Sequence, residues 1–486
     1  MFKTKYNGFF LLIMLSFFMF MLIGSVSADN QIINTTSTGG LASAIENVGS
    51  GQIVYMENGV YSGKNNTNLT ISKNLTISGK GSNVVIDGKG LNRIFYMDYD
   101  TTVKLVNLKL INGHIDGDYG GAIHSRGTLI VNGCTFSNNY AGFNGGAIYK
   151  SSGGDVFISG STFTNNSADN DGGAIYSTDS ILENSRFSIS NSTFINNNAK
   201  LYGGAISRPY GDFSVSNCTF TNNHAGFNGG AIITMANFVV SGSTFTNNNV
   251  DHCGGAIHSS AKLSVNNCIF KNNKAESDGG AIRSTSSLSI TNSVFNNNQV
   301  TFGYGGAILG VNMTIASSNF TNNLVKDSSG AFNAGGGAIS VSHTGVARIN
   351  SAIFKNNKAG TKNNAIHLMS RGNLKAKVYK DKVTITPDES PKANLKVTKV
   401  QKKGNYRYVT IKNIGDGTTS KKFYLGIYVG KKQIKKVLVK ILGTGKSTIV
   451  KVPIAKKYAN KLKTFKADST NLIIESDKKN NSYKAR

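Results

Sequence analysis

The chain has 486 residues, 39% of them hydrophobic, which gives room for two or more domains and enough apolar content for folded cores, and so excludes a disordered chain. Its formal charge is +28, but of 53 Lys+Arg and 25 Asp+Glu, 30 and 7 fall from Arg371 onward, so +23 sits there and +5 in everything before. The basicity belongs to the C-terminal part, and almost all of it is lysine, a solvated point charge suited to diffuse attraction to a polyanion.

Lys3 and Lys5 precede an apolar run from Phe9 to Ile23 and a small-residue exit, Val26-Ser27-Ala28. That is the layout of a secretory signal peptide over residues 1–28, too short and too near the end to be read first as a spanning helix. The alternative is an uncleaved anchor, which would be the only tie to a membrane. The mature chain is therefore expected to be extracellular or at the cell surface, where nucleic acid is not an expected partner. Next, Leu41 to Val48 reads as a short amphipathic helix covering the open edge of a first coil. Strand-like runs follow at Ile53-Val54-Tyr55, Leu69-Thr70-Ile71, Leu75-Thr76-Ile77, Val84-Val85-Ile86 and Val103 to Leu110.

From residue 120 the chain repeats itself. Gly-Gly-Ala-Ile begins at Gly120, Gly145, Gly172, Gly203, Gly229, Gly254, Gly279, Gly305 and Gly336, with a decayed copy at Asn363-Asn364-Ala365-Ile366. Successive starts lie 25 to 31 residues apart, the period of a solenoid with one coil per repeat. A second phrase, Phe-x-Asn-Asn, recurs at Phe136, Phe163, Phe194, Phe220, Phe245, Phe270, Phe295, Phe320 and Phe354. Its near-constant distance from the next Gly-Gly implies a turn of fixed shape, for which Asn and paired Gly supply the backbone freedom. Stacked Asn amides can also bond from coil to coil. Between the corners, Leu263-Ser264-Val265-Asn266 and its equivalents alternate with period two, so each coil is strands rather than helix. Three short strands per turn fit a right-handed parallel β-helix over residues 29–386, the pectate-lyase-like solenoid. Two coils are longer, around Asp179 to Arg186 and Lys326 to Ala334, as loops on a flank.

Cys134, Cys218 and Cys268 share one repeat position, two residues before a Phe, and stand two or three coils apart. At about 4.8 Å per coil they lie beyond disulfide reach, so they are expected to be buried small residues. Candidate ligand-binding residues come from the column after each Ala-Ile, where His124, Tyr149, Tyr176, Ser207, Ile233, His258 and Arg283 follow one another. If the Ile faces inward, this column faces out. Tyr149 and Tyr176 are placed to stack on sugar rings or on each other. His124 and His258, five coils or roughly 24 Å apart, cannot share a metal. No metal or cofactor is expected. The best acidic cluster is Asp116, Asp118, Asp169 and Asp171 ahead of their corners, and turn preference alone accounts for such residues.

Pro387-Asp388-Glu389-Ser390-Pro391 breaks the pattern and marks a linker over 387–392. In 393–486, alternating strands near Leu395 to Val400, Arg407 to Ile414, Lys422 to Val429, Gln433 to Ile441, Ser447 to Val452 and Leu472 to Glu475 suggest a small Ig-like β-sandwich. Gly443-Thr444-Gly445-Lys446-Ser447-Thr448 is not a phosphate-binding loop, because the Gly required five residues before Gly445 is Lys440.

The alternation of Gly-Gly-Ala-Ile with Phe-x-Asn-Asn resembles the repeat of chlamydial polymorphic outer-membrane proteins and of the adhesin-like β-helix proteins of methanogenic archaea. The chlamydial proteins end in a membrane β-barrel, for which nothing after Arg371 is long enough, so the archaeal group is the nearer likeness. The last domain resembles the adhesion-related immunoglobulin-like modules abbreviated CARDB, at Ala393-Asn394-Leu395-Lys396-Val397, Asn413-Ile414-Gly415-Asp416 and the Gly445-Lys446-Ser447-Thr448 turn. The resemblances imply a non-catalytic adhesin-like surface protein that binds glycans or surface polymers of its own envelope or of partner cells, with a basic module on anionic polymer. Because parallel β-helices also carry polysaccharide lyases and glycoside hydrolases, a carbohydrate-active enzyme is the alternative.

Overall fold

The computed structural model describes residues 30–485 except 152, 179–184, 327–334, 361–364, 370–376, 382–383, 386–393, 415–421 and 468–481. The expected signal peptide, the expected linker, most of both expected long-coil loops and the expected strand at Leu472 lie outside the described residues. The chain divides into two units, residues 1–386 and 387–486.

The first unit is a parallel β-solenoid. One coil runs through Ile148–Lys150, Val156–Ser159, Thr162–Thr164 and Ser167–Ala168, and each of these pairs in parallel with its counterpart in the next coil. Repetition extends the pairings into three sheets, the second of which carries 13 strands, about one per turn. In each strand, alternate residues such as Val156 and Ile158 point into one continuous core, so the period-two pattern of the sequence is the inside–outside alternation of the coil. The helix Gly40–Asn47 buries Leu41, Ala44 and Ile45 against the same core at its start.

Identical residues stack inside. The rings from Phe136 to Phe354 form one column, with neighbouring centroids 4.7–4.9 Å apart and planes within 8°. This is the strand spacing imposed on rings that, left free, prefer an offset or edge-on arrangement.

The two Asn of Phe-x-Asn-Asn divide the work between them. The first, as at Asn222, takes a left-handed φ of 55° at the corner. The second, as at Asn223, is wholly buried. Asn223 Nδ2 donates to Phe194 O at 3.0 Å and to Asn248 Oδ1 at 2.9 Å, while its Oδ1 accepts from Asn197 N and Nδ2. Cys134, Cys218 and Cys268 share a buried column with serines, and the Cys134 N–H donates to Ser161 Oγ. All four cysteines are unpaired and buried. Burial pushes the Cys134, Cys218 and Cys268 thiols up to about 11.

The core also holds cations that the pattern did not reveal. Lys150 and Arg208 lie on the inward side of their strands, each 1% exposed. Arg208 donates to Gly211 O and Ser177 Oγ, both at 2.7 Å, and its guanidinium lies over the Phe187 ring.

In the second unit, Leu395–Lys403, Tyr406–Asn413 and Ser447–Pro453 form one antiparallel sheet. Lys432–Val439, Phe423–Val429, Lys463–Lys466 and Ser482–Ala485 form another. Leu395, Val409, Phe423 and Phe465 belong to one core fed from both sheets, which makes a small β-sandwich. The strands at Lys463 and Ser482 were not expected, because Lys463–Lys466 carries lysine at both ends around one Phe and Ser482–Ala485 is mostly exposed, so neither shows an apolar period.

Candidate functional site

Each coil leaves its corner through Gly-Gly, and both glycines are required. Gly145 has a φ of 69°, and a Cβ on Gly146 would lie 2.2 Å from Gly173 O of the next coil. The sharp turn folds the residue before Gly-Gly back over the residue after Ala-Ile. From Tyr202 onward the pre-glycine residues bridge one another in parallel, through Asn228, Cys253, Asp278 and Tyr304 to Gly335. They form a wall beside a floor. The floor is the column after Ala-Ile, in register from Tyr96 through His124, Tyr149, Tyr176, Ser207, Ile233 and His258 to Arg283.

The expectation that this column faces out needs correction. Its side chains leave the core, but the corner covers several of them, so that His124 is only 8% exposed and Ser207, Ile233, Leu309 and Ser340 are buried, whereas Tyr149, Tyr176, His258 and Arg283 are half-buried. Alternation along a strand cannot show this, because here both sides of the strand are covered.

The three sequence-predicted residues are brought together. Tyr149 and Tyr176 stack with centroids 5.5 Å apart and planes 7° apart. His124 meets Tyr149 edge-on at 4.9 Å. Residues that sequence reasoning missed complete the group. Tyr119, on the wall, stacks on Tyr149 at 4.3 Å, and Tyr96 meets His124 at 5.0 Å. The Arg126 guanidinium lies over Tyr96 and Tyr99, and Phe143, 39% exposed, packs on Tyr119. Tyr119 could have been found from its place before Gly120. Tyr96 precedes the first repeat phrase and Arg126 sits in a turn, so neither carried a signal.

Charge at this seam is mostly neutralised locally. Arg93 donates to Asp118 Oδ2 at 2.6 Å and to Tyr119 O at 2.7 Å. Burial pulls the Asp118 carboxyl up, but bonds from Arg93 and the Tyr119 N–H outweigh it and hold the group below its ordinary range. Burial, helped by Arg93, pushes the His124 imidazole down to about 4, so the ring is neutral at pH 7. Asp116 and Asp169 pair with His114 and Lys200 at 3.0 and 2.8 Å. The four carboxylates proposed from sequence therefore have separate environments. Asp171 differs from the rest, since burial pushes it up to about 6 and its Oδ1 is buried without a partner. Burial, then Asp171, raises the Tyr176 phenol to about 12.

Farther along the seam, Cys253 Sγ lies 4.0 Å from Asp278 Oδ2. Burial, then Asp278, pushes this thiol up to about 12, so it offers no thiolate nucleophile. Among the described residues no group of three or more His, Cys, Asp or Glu could hold a metal ion.

The second unit presents cations beside aromatic rings. Lys451 lies 4.2 Å from the Tyr406 ring centroid and Lys403 5.6 Å from that of Tyr408, while Lys396 and Lys412 are paired across the same sheet. The described residues between 394 and 485 include no carboxylate side chain.

Two family models match the chain. The Chlamydia polymorphic membrane protein repeat matches residues 133–151, 160–178, 217–234, 242–260 and 267–285, and CARDB matches residues 382–485. Each repeat match runs from one Phe-x-Asn-Asn through the next Gly-Gly-Ala-Ile. No curated protein matches the chain. Among solved structures it is similar to the A-module of a mannuronan C-5 epimerase from Azotobacter vinelandii, at 11% identity over 73% of this chain and 100% of that one, with a TM-score of 0.37. It is also similar to the catalytic domain of a GH87 α-1,3-glucanase in complex with nigerose, at 11% identity over 74% and 68% of the two chains, TM-score 0.38. A tailspike protein mutant of E. coli bacteriophage HK620 in complex with pentasaccharide shares 12% identity over 85% and 88%, TM-score 0.28. Among the described residues no helix is long and apolar enough to cross a membrane.

Proposed function

We propose that this is a secreted or cell-surface adhesin-like protein, of the kind found in methanogenic archaea, in which a right-handed β-helix presents a repetitive surface to glycans or partner-cell surfaces. Residues 1–28 direct export, and the basic C-terminal module contacts anionic envelope polymer. The observation that carries the reading is the ring group Tyr119, Tyr149 and Tyr176 with His124 at the seam of adjacent coils. The half-buried edges of this ring stack offer apolar surface at fixed spacing to sugar rings, and a rigid stack holds it without ordering cost. Support for the second contact comes from the Lys and Tyr pairs of the sandwich, with no carboxylate among its described residues. The repeat and CARDB matches fit a surface protein.

A glycan array probed with the mature chain and with a Tyr149→Ala/Tyr176→Ala variant tests this reading. Retention by one or more glycans that the variant loses would support it, and an array left blank by both would reject it.

One observation favours the alternative of a carbohydrate-active enzyme. Asp171, buried beside Tyr176 and pushed up to about 6, has the protonation behaviour of a general acid. No second carboxylate pairs with it, since Asp118 is held ionised by Arg93 and Asp278, which burial also raises, stands four coils farther along the wall. Cleavage of any array glycan, lost in Asp171→Asn, would favour the enzyme.

A further inference from the structure

Five buried side-chain polar atoms lack a hydrogen-bond partner among the described residues: His124 Nδ1, Asp171 Oδ1, His258 Nδ1, Ser340 Oγ and Asn394 Oδ1. The first four all belong to the seam, on its floor or its wall. Buried polar atoms are nearly always partnered, because leaving one without a hydrogen bond is costly. The same solenoid satisfies every amide of its internal Asn column, as at Asn223 and Asn248. Among the described residues of the solenoid, the deficit is therefore confined to the one strip where the corner closes over a strand from outside.

Several occupants can be set aside on chemistry. A metal lacks ligands, because His124 and His258 are separated in the register by Tyr149, Tyr176, Ser207 and Ile233. An anion is disfavoured, since Arg93 is committed to Asp118 and the Asp171 carboxyl belongs to the same strip. What remains is a row of unfilled polar atoms beside the ring stack of Tyr119, Tyr149 and Tyr176. His124 is more than nine-tenths buried, and the ring over it, Tyr119, is only partly buried, so a turn of that side chain would open the floor.

We propose that the seam from Tyr96 to Tyr176 is a row of subsites for an unbranched, hydroxyl-rich polysaccharide lying along the coil axis. Sugar rings pack along the outer edges of the stacked Tyr149 and Tyr176 rings, and sugar hydroxyls take up the unfilled capacity of His124 Nδ1 and Asp171 Oδ1. The inference rests on the glycan-binding reading above, and adds the direction of the chain and the residues that read it. The hydroxyl at Asp171 Oδ1 donates, while at His124 Nδ1 either role is open to a neutral imidazole.

The test is calorimetric titration of the mature full chain with disaccharides, tetrasaccharides and octasaccharides of β-1,4-glucan, of β-1,4-linked N-acetylglucosamine and of a polyuronate. Affinity in at least one series is expected to rise about tenfold or more from disaccharide to tetrasaccharide and then to level off, because the seam from Tyr96 to Tyr176 spans four coils. Tyr149→Ala/Tyr176→Ala should flatten that rise. Tyr176→Phe, which keeps the ring, should preserve it and so separates lost ring contact from misfolding. Equal affinity for disaccharide and octasaccharide, or a rise that survives the double variant, overturns the axial row while leaving glycan binding intact. A crystal of the octasaccharide complex in which water still occupies His124 Nδ1 and Asp171 Oδ1 also overturns it. Silence from every series at every length defeats the glycan reading itself.

Discussion

Asn197 Nδ2 donates to Asn223 Oδ1 at 3.0 Å in the interior of the solenoid, where both residues are shut off from solvent. The bond links two consecutive coils, and Asn223 hands the same bond on to Asn248 at 2.9 Å. Each amide in this row is both donor and acceptor, so the loss of one member leaves unmet groups on both sides.

Asn223→Ala should therefore destabilise the solenoid by about 2–4 kcal/mol, since it strands Phe194 O and the Asn197 amide in a dry core and leaves a void. Asn222→Gly, one residue earlier, should change stability by only a few tenths of a kcal/mol, about the scale for a left-handed position that glycine accepts freely. Urea unfolding of the two variants beside the parent checks the contrast. Similar midpoints for both would show that the ladder contributes nothing.

The buried thiols give a second expectation. With Cys134, Cys218 and Cys268 raised to about 11 and Cys253 to about 12, the folded chain should be inert to a thiol-specific disulfide reagent at pH 8. In guanidinium chloride all four should react. Fast labelling without denaturant would contradict the packing of the Ser/Cys column.

Two groups at the seam should pull stability in opposite directions with pH. The unfolded chain protonates His124 as pH falls below about 6.5, whereas the folded chain leaves it neutral down to about 4. That contribution is fully present above about pH 6.5 and is lost as pH falls through the window. Asp171 behaves the other way. The folded chain keeps its proton up to about pH 6 and the unfolded chain loses it near pH 4, so its contribution falls as pH rises between those values. Asp171→Asn should accordingly steepen the loss of stability between pH 6 and 4, and His124→Gln should flatten it. Melting temperatures across that range decide, and identical slopes for both variants would show that neither site is perturbed as described.

How much of this was legible beforehand differs by element. The coil could be read because Gly-Gly-Ala-Ile and Phe-x-Asn-Asn repeat a local geometry in which each copy meets only its neighbours, so sequence register became spatial register, as from Tyr149 to Tyr176. The burial of His124 could not be read, because it depends on the corner at Tyr119 folding back from the far side of Gly-Gly. Nor could Lys150 and Arg208 be placed inside, since their charge argues for solvent and only their stems and bonded heads reconcile them with the core. In the sandwich, lysine density obscured Lys463–Lys466, although Lys463 is buried there.

Charge distribution supplies a further prediction. The mature chain should bind an immobilised polyanion at low salt and elute as the screening length shrinks towards about 3 Å near 1 M salt. A chain ending at residue 386 should elute at much lower salt, since +19 of the +28 lies from Pro387 onward. Retention that persists in high salt would point to a specific pocket, and equal retention of both chains would remove the charge argument.

The central claim is that the seam binds glycan and leaves it whole. It is tested most directly by incubating the mature chain with the glycan it retains most strongly, and following bound fraction and oligomer length together. The account predicts saturable binding that falls about tenfold or more in Tyr149→Ala/Tyr176→Ala, with no shortening or unsaturated product at any time, with or without Ca²⁺. Product that accumulates with turnover and vanishes in Asp171→Asn, or binding indifferent to the two tyrosines, would contradict it.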